Sequence, residues 1–128
     1  MDTTANMLTT IINAQRVRKQ RVALPYSKFR EALAELFKTK GLVSAVRVQD
    51  GPLPKLIVTL TYSKAGKARI NGVKRLSTPG LRVYKQHQAI PRSINTDGTV
   101  IVSTSHGLMD DKAARQKGLG GELVCEVW

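Results

Sequence analysis

Cysteine is nearly missing from this chain: Cys125 stands alone, so no intramolecular disulfide can form, and a reducing compartment is expected. The histidines are just His87 and His106. With one cysteine they are too few and too far apart for a zinc site, and no metal or cofactor is expected. No run approaches the roughly 20 apolar residues that span a bilayer. The opening Asp2-Thr3-Thr4 has neither the basic nor the apolar region of a secretion signal. Internal repeats and low-complexity tracts are also absent. These absences together predict a soluble intracellular protein. Its 41% hydrophobic content over 128 residues is enough for a core without staples.

Acidic residues are the most informative shortage. Nine Asp and Glu face 21 Lys and Arg, a net charge of +12. The excess is even along the chain: residues 1–63 carry ten cations and four acids, residues 64–128 eleven and five. Between Asp50 and Asp97 there is no acid, but there are nine cations. Such an excess repels itself in a folded chain unless a polyanion neutralises it. Nucleic acid does so and gains by releasing counterions. A membrane surface would need an amphipathic helix with a continuous basic face, and none is found, so no membrane partner is expected.

Asp2 can cap a first helix carrying Met7, Leu8, Ile11 and Ile12 on one face. After the basic run Arg16–Arg21, Val22-Ala23-Leu24 is a short strand stopped by Pro25. Ser27 caps the clearest helix, with Phe29, Ala32, Leu33, Leu36 and Phe37 at helical spacing and Gly41 as its stop. Strands Ala45–Gln49 and Leu56–Tyr62 follow, the second alternating like a half-buried strand. The polar stretch Ser63–Lys67 marks a soft boundary, giving lobes 1–63 and 64–128. The second lobe reads as strands Gly72–Leu76, Arg82–Lys85, Thr99–Ser103 and Leu123–Val127, with Pro79-Gly80 turning between the first two. A short helix capped at Asp110 or Asp111 intervenes. The fold class is α+β: an N-terminal α-β-α-β-β lobe and a C-terminal lobe of mostly antiparallel strands with one short helix.

Several motifs carry little chemistry. Gly118, Gly120 and Gly121 end a helix and enter a strand, the wrong order for a dinucleotide loop. Asp110 and Asp111 read as a helix cap rather than an acid–base pair. Cys125 reads as a buried thiol on the same strand face as Leu123 and Val127. The run Ser103-Thr104-Ser105-His106-Gly107 is different, because consecutive hydroxyls at a strand end can read ribose hydroxyls and base edges. An ordinary hydroxyl-capped turn explains the same residues equally well. No nucleophile–base set accompanies them, so an enzyme is not expected.

Taken in order, Ser103-Thr104-Ser105-His106-Gly107-Leu108-Met109, Ala114-Arg115 and Gly118-Leu119-Gly120-Gly121-Glu122 closely resemble the C-terminal signature of the bacterial-type small-subunit ribosomal protein eight family. Arg75-Leu76-Ser77-Thr78-Pro79-Gly80-Leu81-Arg82-Val83-Tyr84-Lys85 resembles its central motif. Asn6-Met7-Leu8-Thr9 and Pro25-Tyr26-Ser27-Lys28 extend the likeness over essentially the whole chain. The resemblance implies a two-domain α+β protein that binds the central domain of small-subunit rRNA as a primary assembly protein, beside other small-subunit proteins. It also implies a second role, repression of translation through an mRNA hairpin. The implied RNA-binding residues are Ser103, Thr104, Ser105, Tyr84 and Glu122, with Ser27 and Lys28 as an N-terminal contact. His106, Gly107, Arg75, Arg82 and Lys85 complete the set. The implied location is the small subunit of a cytoplasmic or organellar ribosome; the alternative is a non-ribosomal basic module for DNA or mRNA. The chain departs from the family pattern at Thr9-Thr10-Ile11-Ile12-Asn13, which lacks two arginines, and at Thr78 and His106, where a basic residue is usual.

Overall fold

A computed structural model describes residues 3–94 and 98–128, so the expected cap Asp2 lies outside the described residues. The chain forms two compact units that divide between Ile70 and Asn71. The class is the expected α+β, with every strand pairing antiparallel.

In the first unit, helix α1 (Thr3–Arg16) buries Met7, Leu8 and Ile11, as their spacing predicts, and also Ala14 and Gln15. Gln15 is a buried amide with both ends satisfied. Its Nε2 donates to the Ile70 carbonyl at 3.1 Å and its Oε1 accepts from the Ile70 N–H at 3.3 Å. Strand β1 (Arg21–Pro25) leads to helix α2 (Lys28–Thr39). The Ser27 hydroxyl caps α2 by accepting from the Arg30 N–H at 3.1 Å. At the other end Gly41, at φ +75°, closes the helix with Leu42 N–H to Phe37 carbonyl and Gly41 N–H to Lys38 carbonyl bonds. Strands β2 (Val43–Gln49) and β3 (Lys55–Leu60) complete a sheet of order β1-β3-β2. Pro25 pairs at the end of an edge strand, where its missing N–H costs least. Helix α1 packs on β1, and α2 on β2 and β3. They cover the face formed by Val22, Leu24, Leu56 and Val58. The strand expected to reach Tyr62 stops at Leu60. Tyr62 instead bridges to Ala68, and its hydroxyl donates to the Lys19 carbonyl at 2.6 Å.

The second unit is a five-stranded sheet: β4 (Val73–Arg75), β5 (Tyr84–Lys85), β6 (Thr99–Thr104), β7 (Gly107–Asp110) and β8 (Gly121–Val127). The order is β4-β8-β6-β7, with β5 also paired to β8. Helix α3 (Asp111–Lys117) is capped by Asp110, whose Oδ1 accepts from the Ala113 N–H at 2.7 Å. Asp111 does other work inside the unit. One of its oxygens accepts from the Val100 N–H at 3.3 Å and the other from Arg115 at 2.6 Å. The core here joins Ile90, Val100, Val102, Met109, Ala114 and Leu123.

Two expectations need correction. β7 was not anticipated, since its four residues start at a glycine and follow a hydroxyl-rich turn that hides the hairpin. Cys125 also does not share a face with Leu123. Val102 pairs with Leu123 but Ile101 pairs with Cys125, so β8 carries one extra residue, Val124, as a bulge. The bulge flips the alternation: Leu123 points into the core cluster, while Cys125 shares the other face with Ile101 and is 0% exposed. Burial as a structural thiol holds as expected, and desolvation pushes its pKa up to about 12, with a smaller opposing pull from Arg75.

Candidate nucleic-acid interface

Four strands line up one residue each at the end of the second sheet. Tyr84 of β5 pairs with Glu122 of β8, Glu122 with Ser103 of β6, and Ser103 with Leu108 of β7. Directly paired residues project from the same face, with Cβ atoms roughly 5 Å apart. The adjacent row, Leu123, Val102 and Met109, points the other way into the core. Core packing on one face thus fixes the polar row on the other.

The two glycines before Glu122 let the strands approach. A Cβ on Gly121 would collide with the Ser103 carbonyl, and one on Gly120 would meet the Lys85 carbonyl at 2.5 Å. Any side chain at either position would push apart the strands that carry Tyr84 and Ser103. This backbone role is the one expected for the glycine run.

Residues 103–107 form the tip of the β6–β7 hairpin. Thr104 pairs with Gly107, with Ser105 and His106 at the exposed turn. The Thr104 hydroxyl is used within the turn, donating to the Gly107 carbonyl at 2.8 Å and accepting from the His106 N–H at 3.1 Å. Thr104 therefore shapes the hairpin, and Ser105 presents an outward hydroxyl. Gly107, at φ +105°, supplies a conformation that a side chain would strain.

A second hairpin delivers the aromatic side. Thr78 and Leu81 exchange backbone hydrogen bonds of 2.9 and 3.1 Å over Pro79-Gly80, the expected turn. The buried Ser77 hydroxyl stitches its base, accepting from the Val83 N–H at 2.8 Å and donating to the Val83 carbonyl at 3.3 Å. Beyond it, Arg82 donates to the Glu122 carboxylate at 3.1 Å, and Tyr84 is 66% exposed. An acid among so many cations thus has a paired cation, which offsets its repulsion of a polyanion.

Tyr84 and Lys85 also border an open pocket of about 480 Å³, lined further by Gln86, His87, Gln88 and Gly120. The sequence gives Gln86 and Gln88 no evident role, and His87 enters it only as a candidate zinc ligand, so none of the three was expected at this surface. Their signal was a polar run directly after the Tyr-Lys pair, projecting from a 3₁₀ turn (His87–Ala89). Arg75 lies on β4, opposite Cys125, and donates to the Ser77 carbonyl. Ser27 and Lys28 belong to the first unit, where Ser27 caps α2 and Lys28 is exposed. Next to them the Tyr26 hydroxyl donates to Glu31 at 3.0 Å, a bond that raises the phenol pKa. The structure thus gathers Tyr84, Lys85, Arg82, Glu122 and Ser103–Gly107 at one sheet end of the second unit.

Exposed hydroxyls, a phenol with a free face, cations and one ion-paired acid have the chemistry of a surface that reads RNA. Comparison with known proteins bears on the same question. The sequence matches the ribosomal protein S8 family over residues 2–128. It is 45% identical over 128 residues to small ribosomal subunit protein uS8 of Sorangium cellulosum, covering 99% of this chain and 98% of that protein. The protein of that name from Caldanaerobacter subterraneus subsp. tengcongensis is likewise 45% identical, over 99% of this chain and 97% of its own length. The chain belongs to the ribosomal protein S8 family.

Proposed function

We propose that this chain is a constituent of the small ribosomal subunit that binds small-subunit rRNA through the sheet end of its second unit. The observation that carries the reading is the paired row Tyr84–Glu122–Ser103 beside the Ser105 hairpin tip, within a full-length match to the family. Lysines and arginines supply salt-sensitive affinity, while the row and hairpin supply selectivity. The work is binding and positioning, without catalysis. The finer assignment is the central domain of that rRNA, with neighbouring small-subunit proteins as further partners. An mRNA hairpin that presents the same shape would compete for the same surface and allow translational repression.

The test is to identify the RNA that co-purifies with the protein from cells and to challenge that complex with competitors. Small-subunit rRNA should dominate the bound RNA, and duplex DNA should displace it poorly. Recovery of mixed RNA that duplex DNA displaces equally well would instead favour a non-ribosomal basic module.

A further inference from the structure

Histidine is scarce in this chain, and both copies, His87 and His106, lie at the sheet end of the second unit. The glycine pair of β8 runs between them. A Cβ on Gly120 would meet Gln86 on one side, and a Cβ on Gly121 would meet Thr104 on the other. His87 directly follows Gln86, and His106 lies two residues past Thr104. The flanking backbones are two strand spacings apart, roughly 10 Å, so one folded RNA segment can reach both imidazoles. His106 is exposed at the hairpin tip, its backbone N–H held by the Thr104 hydroxyl at 3.1 Å. His87 is half-buried and lines the pocket of about 480 Å³ beside Tyr84 and Lys85.

Neither imidazole has a hydrogen-bond or ion-pair partner among the described residues. The turn that carries His87 packs on α3, whose charged residues are Asp111, Lys112, Arg115 and Lys117, and Lys85 lines the same pocket. The acid of that helix, Asp111, already accepts from Arg115. Around the β6–β7 hairpin, Asp110 caps α3 and Glu122 holds Arg82. Each of these carboxylates is engaged, and the remaining charges are positive. The protein thus offers an imidazolium no partner of its own, whereas a bound polyanion would.

We propose that His87 and His106 are proton-dependent phosphate contacts, so that binding of rRNA takes up protons at these two residues. Histidine changes charge between about pH 5 and 8, a range in which backbone phosphates stay ionised. A phosphate beside an imidazole accepts its hydrogen bond and favours the charged form. The complex then holds more protons than its separated parts, which fixes the sign. Affinity is highest at the acidic end and falls as pH rises through the histidine range. Lysines and arginines bind at every pH in this range, so the histidines add an adjustable part to a permanent affinity. The proposal rests on the reading of the chain as an rRNA-binding protein and adds how that surface responds to pH.

The full-length protein is titrated with small-subunit rRNA and with an unrelated folded RNA of equal length, from pH 5.5 to 8.0 at constant ionic strength. Wild-type affinity for the rRNA should fall by about fivefold for each histidine, roughly 25-fold in all. The salt slope should be steeper at pH 5.5 than at pH 8.0 by about 1.5, the weight of two phosphate contacts. Calorimetry in buffers of different ionisation enthalpy should register proton uptake on binding. His87→Gln/His106→Gln should hold the wild-type affinity of pH 8.0 across the range. His87→Lys/His106→Lys should hold that of pH 5.5. A flat wild-type profile with rRNA preference intact, or an undiminished pH dependence in both double variants, would overturn the proposal. Equal binding of the two RNAs at every pH would overturn the rRNA reading itself, and this proposal with it.

Discussion

Arg82 and Glu122 meet across 3.1 Å, and their contact ties the segment leading into β5 to the first residues of β8. The pair sits beside Tyr84 and Ser103, so it sets the Arg82 guanidinium and the local charge of the proposed RNA surface together. Arg82 is 52% exposed and Glu122 20%, so the pair adds no more than about 1 kcal/mol to stability. Its value lies in position. Glu122→Gln should weaken cognate RNA binding by roughly fivefold, about 1 kcal/mol, while the thermal midpoint stays within a few degrees. Filter binding and thermal unfolding on the same preparation check this. Tighter binding by the variant would mean that the carboxylate only repels phosphate.

Thr104 and Ser105 should separate in their effects, although they are adjacent hydroxyls. Thr104→Val removes two hydrogen bonds inside the turn and should lower stability by about 1 kcal/mol, with a matching loss of RNA binding. Ser105→Ala should leave stability unchanged and cost about 1–2 kcal/mol on cognate RNA alone. Denaturant titrations paired with binding isotherms distinguish the two. Equal stability losses for both would show that Ser105 is also structural.

Gly121→Ala should be among the most damaging single changes in the second unit. Its Cβ would strike the Ser103 carbonyl on the neighbouring strand, which cannot give way without breaking the β6–β8 ladder. A loss of about 3 kcal/mol is expected, at the upper end for overpacking. Urea unfolding measures it, and a loss below about 1 kcal/mol would show that the strands tolerate separation.

The Cys125 thiol should be inert in the folded protein. Burial raises its pKa from the ordinary 9.0 to about 12, so the protonated form dominates at neutral pH. Because the folded value lies above the unfolded one, this contribution to stability is fully present below about pH 9. It is lost as the pH rises through about 12. A thiol reagent at pH 8 should react only at the rate of unfolding, and immediately in denaturant. Fast reaction of the native protein would place the thiol at the surface.

The parts of this molecule that were legible in the sequence are those fixed by local chemistry. Ser27 and Gly41 bracket α2 because a hydroxyl cap and a left-handed glycine act within one turn of the helix. Leu56, Val58 and Leu60 alternate because one sheet face is buried. The bulge at Val124 was not legible, because a bulge is a mismatch between two strands far apart in the chain and leaves no local mark. The same holds for β7, whose partner β6 supplies all its ladder bonds. Of the surface at the sheet end, the hydroxyl run and Tyr84 were visible as residue types. That Thr104 turns inward, that Arg82 pairs with Glu122 and that Gln86–Gln88 line a pocket depend on registers set by tertiary pairing.

The central claim is that the hairpin tip selects the RNA while the cations bind any RNA. The direct test measures wild type and Ser105→Ala against small-subunit rRNA and against an unrelated folded RNA of equal length, at several salt concentrations. Both proteins should show steep, parallel salt dependence on both RNAs. Wild type should prefer the rRNA, and Ser105→Ala should lose roughly tenfold on it while binding the unrelated RNA as before. Equal affinity of wild type for the two RNAs, or an equal loss on both in the variant, would contradict the account.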